Sequence, residues 1–289
     1  MNTAHTATEN TENWTLTIKP KAGLLELNLS ELWRYRDLIL LFVRRDFVAV
    51  YKQTILGPLW FIIQPLLTTI TFTIIFGNIA KIPTDGLPPI LFYMSGLILW
   101  NYFSTCLTKS SNTFITNSGV FGKVYFPRLV VPIADSISNL ISFGIQFVTF
   151  IGLFVFYYLK GGNIHPNMFI LLLPFLLFLM AGIGLGLGII VSSLTTKYRD
   201  LTFLVSFGVQ LFMYATPVIF PSSSVPESIK KYLWFNPITP IIETFRYGIL
   251  GSGMIDWMQL GYSCVFMIIV LLLGIVMFNK VEKNFMDVI

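Results

Sequence analysis

The chain has 289 residues, of which 55% are hydrophobic and only 11% charged; soluble domains carry about 25% charged residues. With 27 Phe, 12 Tyr and 6 Trp, too little polar surface remains to cover a water-soluble globule, so a soluble enzyme and a disordered linker are both excluded. The net charge of +5 needs no nucleic-acid partner, because no soluble basic domain exists to carry one.

In chain order, the stretch before Leu24 is rich in Thr and Asn and has no basic start followed by an apolar core. It reads as a mobile cytoplasmic tail (1–23) and not as a signal peptide. Residues 24–57 are charged yet strongly apolar. From Glu31 to Gln53, a helical wheel puts Leu32, Trp33, Ile39, Leu40, Val43, Phe47, Val50 and Tyr51 on one face and Arg34, Asp37, Arg44, Arg45 and Lys52 opposite. That pattern suits a helix lying in the headgroup layer and turning into the membrane at Gly57-Pro58. It equally suits a helix packed on protein, and Arg36, on the apolar side, leaves room for that.

One Lys, Arg or Asp at the centre of a spanning helix costs about 2.5 to 3.5 kcal/mol, so charge-free intervals mark the spans. Six emerge: Gln53 to Ala80, Gly86 to Thr108, Ser136 to Leu159, Gly161 to Thr196, Leu201 to Pro226 and Trp257 to Asn279. Each exceeds the roughly 20 residues a helix needs to cross the hydrocarbon layer. Pro166 marks where the helix of the fourth begins. Arg44, Arg45, Lys52, Lys109, Lys123, Arg128, Lys197, Arg199, Lys280 and Lys283 gather on one side. Only Lys81, Lys160, Lys230, Lys231 and Arg246 fall on the other. Both termini, including a tail at 280–289, are therefore placed in the cytoplasm.

Between the second and third intervals, GVFGKVYFPR (119–128) is short, basic and aromatic. It reads as a docking element or as a membrane-interface loop with aromatic anchors. In the fourth, Gly182, Gly184, Gly186 and Gly188 alternate, which favours close helix packing and makes no dinucleotide fingerprint. The loop from Phe220 to Trp257 keeps apolar runs broken by Asn236-Pro237 and Pro240. Two short helices dipping into the outer leaflet account for it, as does a folded cap.

Chemistry is conspicuous by omission. There is no G-x-x-x-x-G-K-[ST] loop, and Gly119 to Lys123 has the wrong spacing, so the chain does not hydrolyse ATP itself. Cys106, Cys264, His5 and His165 are too scattered for a disulfide framework or a metal site. Only Asp135, placed at a helix entrance, comes near the bilayer as a coupling carboxylate. Asp135, Asp200, Glu243 and Asp256 do not cluster in sequence, which argues against a membrane-embedded glycan-modifying enzyme while leaving folding free to bring them together. An ion channel lacks a charged ring or filter sequence. What the intervals do hold is aromatic and hydroxyl-bearing, as in Trp100-Asn101-Tyr102 and Tyr214-Ala215-Thr216. Such groups suit sugar rings, and they equally suit lipid contact.

Three blocks, ELWRYRDLILLFVRRDFVAVYKQTILGPLWFIIQPLL, VFGKVYFPRLVVPIAD and NPITPIIETFRYGILG, together resemble the permease subunits of type-2 ABC exporters. The likeness is greatest to the branch that exports lipid-linked polysaccharides such as O-antigen, with capsule, teichoic-acid, drug and lipid exporters as relatives. The resemblance implies an all-α membrane protein of the bacterial inner membrane. Its permease domain (58–289) would have six transmembrane helices, following an amphipathic gate helix, with two external re-entrant helices at about 222–250. It implies a homodimer with two ATP-binding cassette ATPase subunits, which carry the ATP and Mg²⁺, so that this chain needs no cofactor or metal and has no catalytic residue. Val120, Phe121, Lys123, Tyr125 and Phe126 would then belong to the helix that seats on the ATPase. Trp60, Phe72, Phe76, Trp100, Tyr102, Phe212 and Tyr214 become candidates for the sugar path, and Arg44, Arg45 and Lys52 for entry of an anionic lipid headgroup, a role that binding of ordinary membrane lipid would also explain.

Overall fold

The computed structural model describes residues 29–52, 56–124, 126–196, 198 and 200–288, with the backbone alone for 29–31, 50, 51 and 282–288. The tail at 1–23, Tyr125, Lys197 and Arg199 lie outside the described residues.

Among the described residues every regular element is helical. A short helix α1 (Leu29–Arg34) leads through a turn at Tyr35 into α2 (Arg36–Lys52). Gly57, at φ 49°, takes the left-handed conformation that a side chain would resist, and the chain turns there through a 3-10 segment into α3 (Trp60–Phe72). α3 carries Pro65 inside it and runs on as a π-helix over Thr73–Ile79. α4 (Pro89–Ser111), α5 (Thr113–Thr116), α6 (Ser118–Phe121) and α7 (Val130–Leu159) follow. α8 (Leu173–Thr195) begins after a 3-10 turn at Met168–Leu172, capped by Asn167, whose side chain accepts from Phe169 N. The last helices are α9 (Leu201–Tyr214), α10 (Glu227–Trp234), α11 (Thr239–Leu250) and α12 (Trp257–Val288).

Among the described residues, five helical stretches are long and apolar enough to cross a membrane: Gly57–Ile79, Pro89–Ser111, Val130–Leu159, Met168–Thr195 and Trp257–Val281. The chain is a multi-pass helical membrane protein. The fifth charge-free interval, Leu201 to Pro226, gives only the shorter α9, because the backbone breaks into turns from Ala215 and a 3-10 segment at Ser222–Ser224. Charge also misplaced some ends. α7 begins at Val130, ahead of Asp135, so Asp135 lies inside the helix and not at its entrance. Its carboxyl reaches that of Asp46, with Lys109 and Arg45 close by. α12 continues helically through 280–288, where a tail was expected.

α4 is the enclosed helix of the bundle, packed by α8, α7, α3, α11 and α9. Its contact with α8 has no side-chain layer between backbones. A Cβ at Gly184 would stand 3.0 Å from Cys106 Cβ and from the Phe103 carbonyl, and one at Gly188 would press on Ser110 and come 2.7 Å from Leu107 O. The other two glycines serve the opposite side, where a Cβ at Gly182 would press on Met267 and one at Gly186 would stand 3.0 Å from Leu271 N of α12. A Cβ at Gly274 of α12 would in return come 2.9 Å from Gly186 O. The four-residue spacing of each pair explains the arrangement: 182/186 form one row on α8 and 184/188 another.

α2 has two apolar edges. Trp33 and Leu40, on the apolar face of the wheel, are 70% and 62% exposed, whereas Phe42 and Val43 are buried. Tyr35, Leu38, Ile39, Phe42 and Val43 recur at three- and four-residue steps and pack into a cluster with Phe121, Phe126, Val130 and Phe278. α2 therefore rests on α7, while Trp33 at the end of α1 and Leu40 and Leu41 of α2 project away from the described protein.

Candidate functional site

The short helices after α4 split the expected docking residues into two groups. Phe121 and Phe126 are buried and their rings lie 5.7 Å apart. Phe121 also meets Phe114 at 6.0 Å, Phe114 stacks on Phe278 of α12 at 4.5 Å, and Phe126 meets Phe42 of α2 at 5.8 Å. The Arg128 guanidinium lies over the Phe121 ring at 5.5 Å. These rings are the anchor. Val120, Lys123 and Val124 form the outward side of the same turn, and Val124 is 59% exposed. An anchored two-helix knuckle with an exposed basic and apolar tip is able to receive force from a partner.

Arg44 and Lys52 are exposed on α2. Arg45 is engaged locally, pairing with Asp46 at 2.9 Å and lying 4.6 Å over the Phe42 ring. All three basic side chains are exposed, Arg45 while paired with Asp46.

The seven aromatic candidates are not gathered in one place. Successive positions on α4 point apart: Trp100 contacts Phe212 of α9 at 5.8 Å, and Tyr102 contacts Phe143 of α7 at 5.7 Å. Trp100 is only 4% exposed and Tyr102 is also buried. Phe72 and Phe76 of the α3 region stand edge-on to each other at 5.2 Å and cover Tyr93. Phe212 and Tyr214 line a cavity of about 700 Å³ between α9, α10 and Phe266, whose walls also include Tyr232 and Phe235. Tyr214 is exposed, as are Phe203, Phe207 and Leu211 along the same helix.

Trp60 and Tyr102 instead face a second cavity, of about 440 Å³, between α2, α3, α4 and α7. Its lining is unusually polar for a bundle this apolar: Gln64 and Thr68 come from α3, Asn101, Ser104 and Thr105 from α4, and Asn139, Ser142 and Gln146 from α7. Asn101 Nδ2 donates across it to Gln146 Oε1 at 3.4 Å. Asp46 and Lys109 stand at the α2 end. A count of charges passes over this cleft, since uncharged amides and hydroxyls do not interrupt a charge-free interval.

At the far end of α4, Arg246 is fully enclosed although it was read as a loop charge. Its Nη1 donates to Pro217 O at 2.6 Å, Nη2 to Val218 O at 2.9 Å and to Phe92 O at 3.4 Å, and Nε to Ser95 Oγ at 3.2 Å. A Cβ at Gly96 would stand 2.8 Å from Arg246 Nη2, so the absence of a side chain there admits the guanidinium. One side chain thus ties α11 to α4 and to the broken backbone after α9. The signal in the sequence was Glu243 and Arg246, an i, i+3 charge pair inside an otherwise apolar run; their closest charged atoms are 3.8 Å apart.

Folding does bring two of the scattered carboxylates together. Glu243 and Asp256 line one cavity of about 600 Å³ with Asp85 and Glu227. Each is already engaged in structure: Glu243 accepts from Ser222 Oγ at 2.9 Å, and Asp256 accepts from Met258 N at 2.9 Å and caps α12. Asp85 accepts from Ser223 Oγ at 2.7 Å.

Comparison with known proteins agrees with this geometry. The O-antigen export system permease protein RfbA of Klebsiella pneumoniae is 27% identical over 253 residues, covering 88% of this chain and 95% of that protein. RfbA of Myxococcus xanthus is 26% identical over 75% of this chain and 81% of its own length. The polysialic acid transport protein KpsM of Escherichia coli is 24% identical over 79% of this chain and 87% of its own. Residues 37–250, from α2 to the end of α11, match the family described as ABC-2 type transporter, and the chain belongs to that family.

Proposed function

We propose that this chain is the transmembrane subunit of an ATP-driven exporter that moves a lipid-linked, O-antigen-like polysaccharide from the cytoplasmic to the external face of a bacterial inner membrane. The observation that carries the reading is similarity to O-antigen export permeases along nearly their whole length. Export of a capsule polymer is the second reading, favoured by the similarity to the polysialic acid and capsule export proteins.

In this reading two copies of the chain pair, and two ATPase subunits bind at the cytoplasmic side, where both termini lie and the basic residues gather. ATP and Mg²⁺ act on the partner. Closure of the ATPase pair presses on the 119–127 knuckle and rocks the two bundles, opening a path for the polymer. α9 with its extension to Pro226 completes six spans, and α10 and α11 are the re-entrant pair that closes the external end. The exposed aromatics of α9, Tyr214 among them, face the path between the two copies, where weak stacking permits sliding. Arg44 and Lys52 receive the anionic headgroup, as their charge and outward placement suit.

The test is gentle purification of the tagged chain, with identification of accompanying proteins and an ATPase assay. A nucleotide-binding subunit at about equal stoichiometry is expected, with hydrolysis that depends on this chain. A chain that purifies alone and is active alone would sink the proposal.

A further inference from the structure

The polar cleft between α2, α3, α4 and α7 lies within one copy of the chain, apart from any path formed between two. Three properties define its chemistry. First, its deep wall is neutral and amide-rich. Gln146, which is buried, accepts from Asn101, and the exposed Gln64 faces the same cleft, so amide donors and acceptors are open to a polar guest. Second, Pro65 of α3 lies on the wall and has no N–H to give the Phe61 carbonyl one turn earlier, which leaves an acceptor beside the cleft. Third, aromatic rings stand among these groups: Trp60 and Phe61 on α3 and Phe143 on α7.

Amides that both donate and accept, hydroxyls and flat apolar rings are the complement of a sugar, whose hydroxyls donate and accept and whose C–H faces are apolar. Charge is confined to the α2 end, where Asp46 is engaged by Arg45 and Lys109 also lines the cleft, so a phosphate meets a cation there and none among the amides. A volume of about 440 Å³ falls within the range of about 300–1,000 Å³ usual for small-molecule sites.

We propose that this cleft is an intrasubunit binding site for the neutral glycosyl headgroup of a lipid, reached from the leaflet beside α2. The proposal rests on the export reading for the source of that lipid, whose neutral sugar enters the cleft while its anionic phosphate stays at the α2 end beside Lys109. It adds a holding site within each subunit, separate from the route between subunits.

The experiment uses the full chain, copurified with its ATPase subunit and placed in phosphatidylcholine nanodiscs. Three photoreactive lipids with the same tail are compared: monoglucosyl diacylglycerol, phosphatidylglycerol and phosphatidylcholine. The glucosyl lipid is expected to label peptides of α3, α4 and α7 at least fivefold more than the other two. The double variant Asn101→Leu with Gln146→Leu should lose that labelling, and so should Ser142→Trp, which fills the cleft and leaves both amides in place. Either variant counts only if it still copurifies with the ATPase and melts within a few degrees of the parent, and each alone suffices. Equal labelling by the three lipids, preference for phosphatidylglycerol, no labelling, or labelling unchanged in a folded variant would each overturn the proposal. Copurification of the ATPase is read separately, so the cleft can fail while the export reading stands.

Discussion

The Arg246 guanidinium sits 3.8 Å over the ring of Phe92 while it donates to backbone carbonyls on two separate segments. A lysine offers one compact ammonium in place of a planar fork and cannot serve both at once. Arg246→Lys should lower the melting temperature of the purified chain, and Arg246→Met should do so further, by about 3–5 kcal/mol, the usual cost of breaking a buried charge network. Thermal unfolding followed by loss of monodisperse protein checks it. An unchanged midpoint in both variants would remove the tie between α11 and α4.

The glycines of α8 differ sharply from Gly208 of α9. Gly184→Val and Gly188→Val should each destabilise by about 1–3 kcal/mol through overpacking against the α4 backbone. Gly208 of α9, where an added Cβ meets nothing within 4 Å, should accept Ala with a gain of up to about 1 kcal/mol from helix propensity. The same melting assay compares the three, and a Gly188→Val protein as stable as its parent would contradict the direct backbone contact.

The knuckle calls for two kinds of substitution. Lys123→Glu and Val124→Asp, on its exposed side, should reduce ATPase copurification or stimulation and leave the melting temperature of the isolated chain unchanged. Phe121→Ala removes an anchor ring and should cost about 3–5 kcal/mol of the chain's own stability, so lost coupling in that variant alone says nothing about docking. Normal export and ATPase stimulation in both exposed-side variants would return this segment to a membrane-interface loop.

Among the aromatics, exposure separates path from core. Tyr214→Leu should slow polymer export with assembly intact, whereas Trp100→Leu should lower stability, because its ring packs on Phe103 and Phe212. Export rate and melting temperature, measured on both, distinguish the roles. Unaltered export with Tyr214→Leu would make that ring a lipid contact.

Much of this was legible in the residues. Long charge-free intervals located the apolar helices, and the alternating glycines announced a close approach, because both signals are local and periodic. What escaped depended on contacts between distant elements. Arg246 looked like a loop charge because nothing local reveals that Pro217 and Val218 would bring their carbonyls to it. Which edge of α2 protein covers was not legible, because the helix has two apolar edges and only α7 decides between them. Gln64 and Gln146 are neutral residues in apolar runs, and their juxtaposition across a cleft appears only when α3 and α7 are both in place.

The doubled glycine rows of α8 also bear on how force travels. They bring the backbone of α8 close to α4 at Gly184 and Gly188 and to α12 at Gly186, beside the Met267 and Ile189 side chains. In the proposed export reading, a push at the knuckle would enter α12 where Phe114 stacks on Phe278, cross α8 and arrive in α4, whose opposite end holds partners of Arg246.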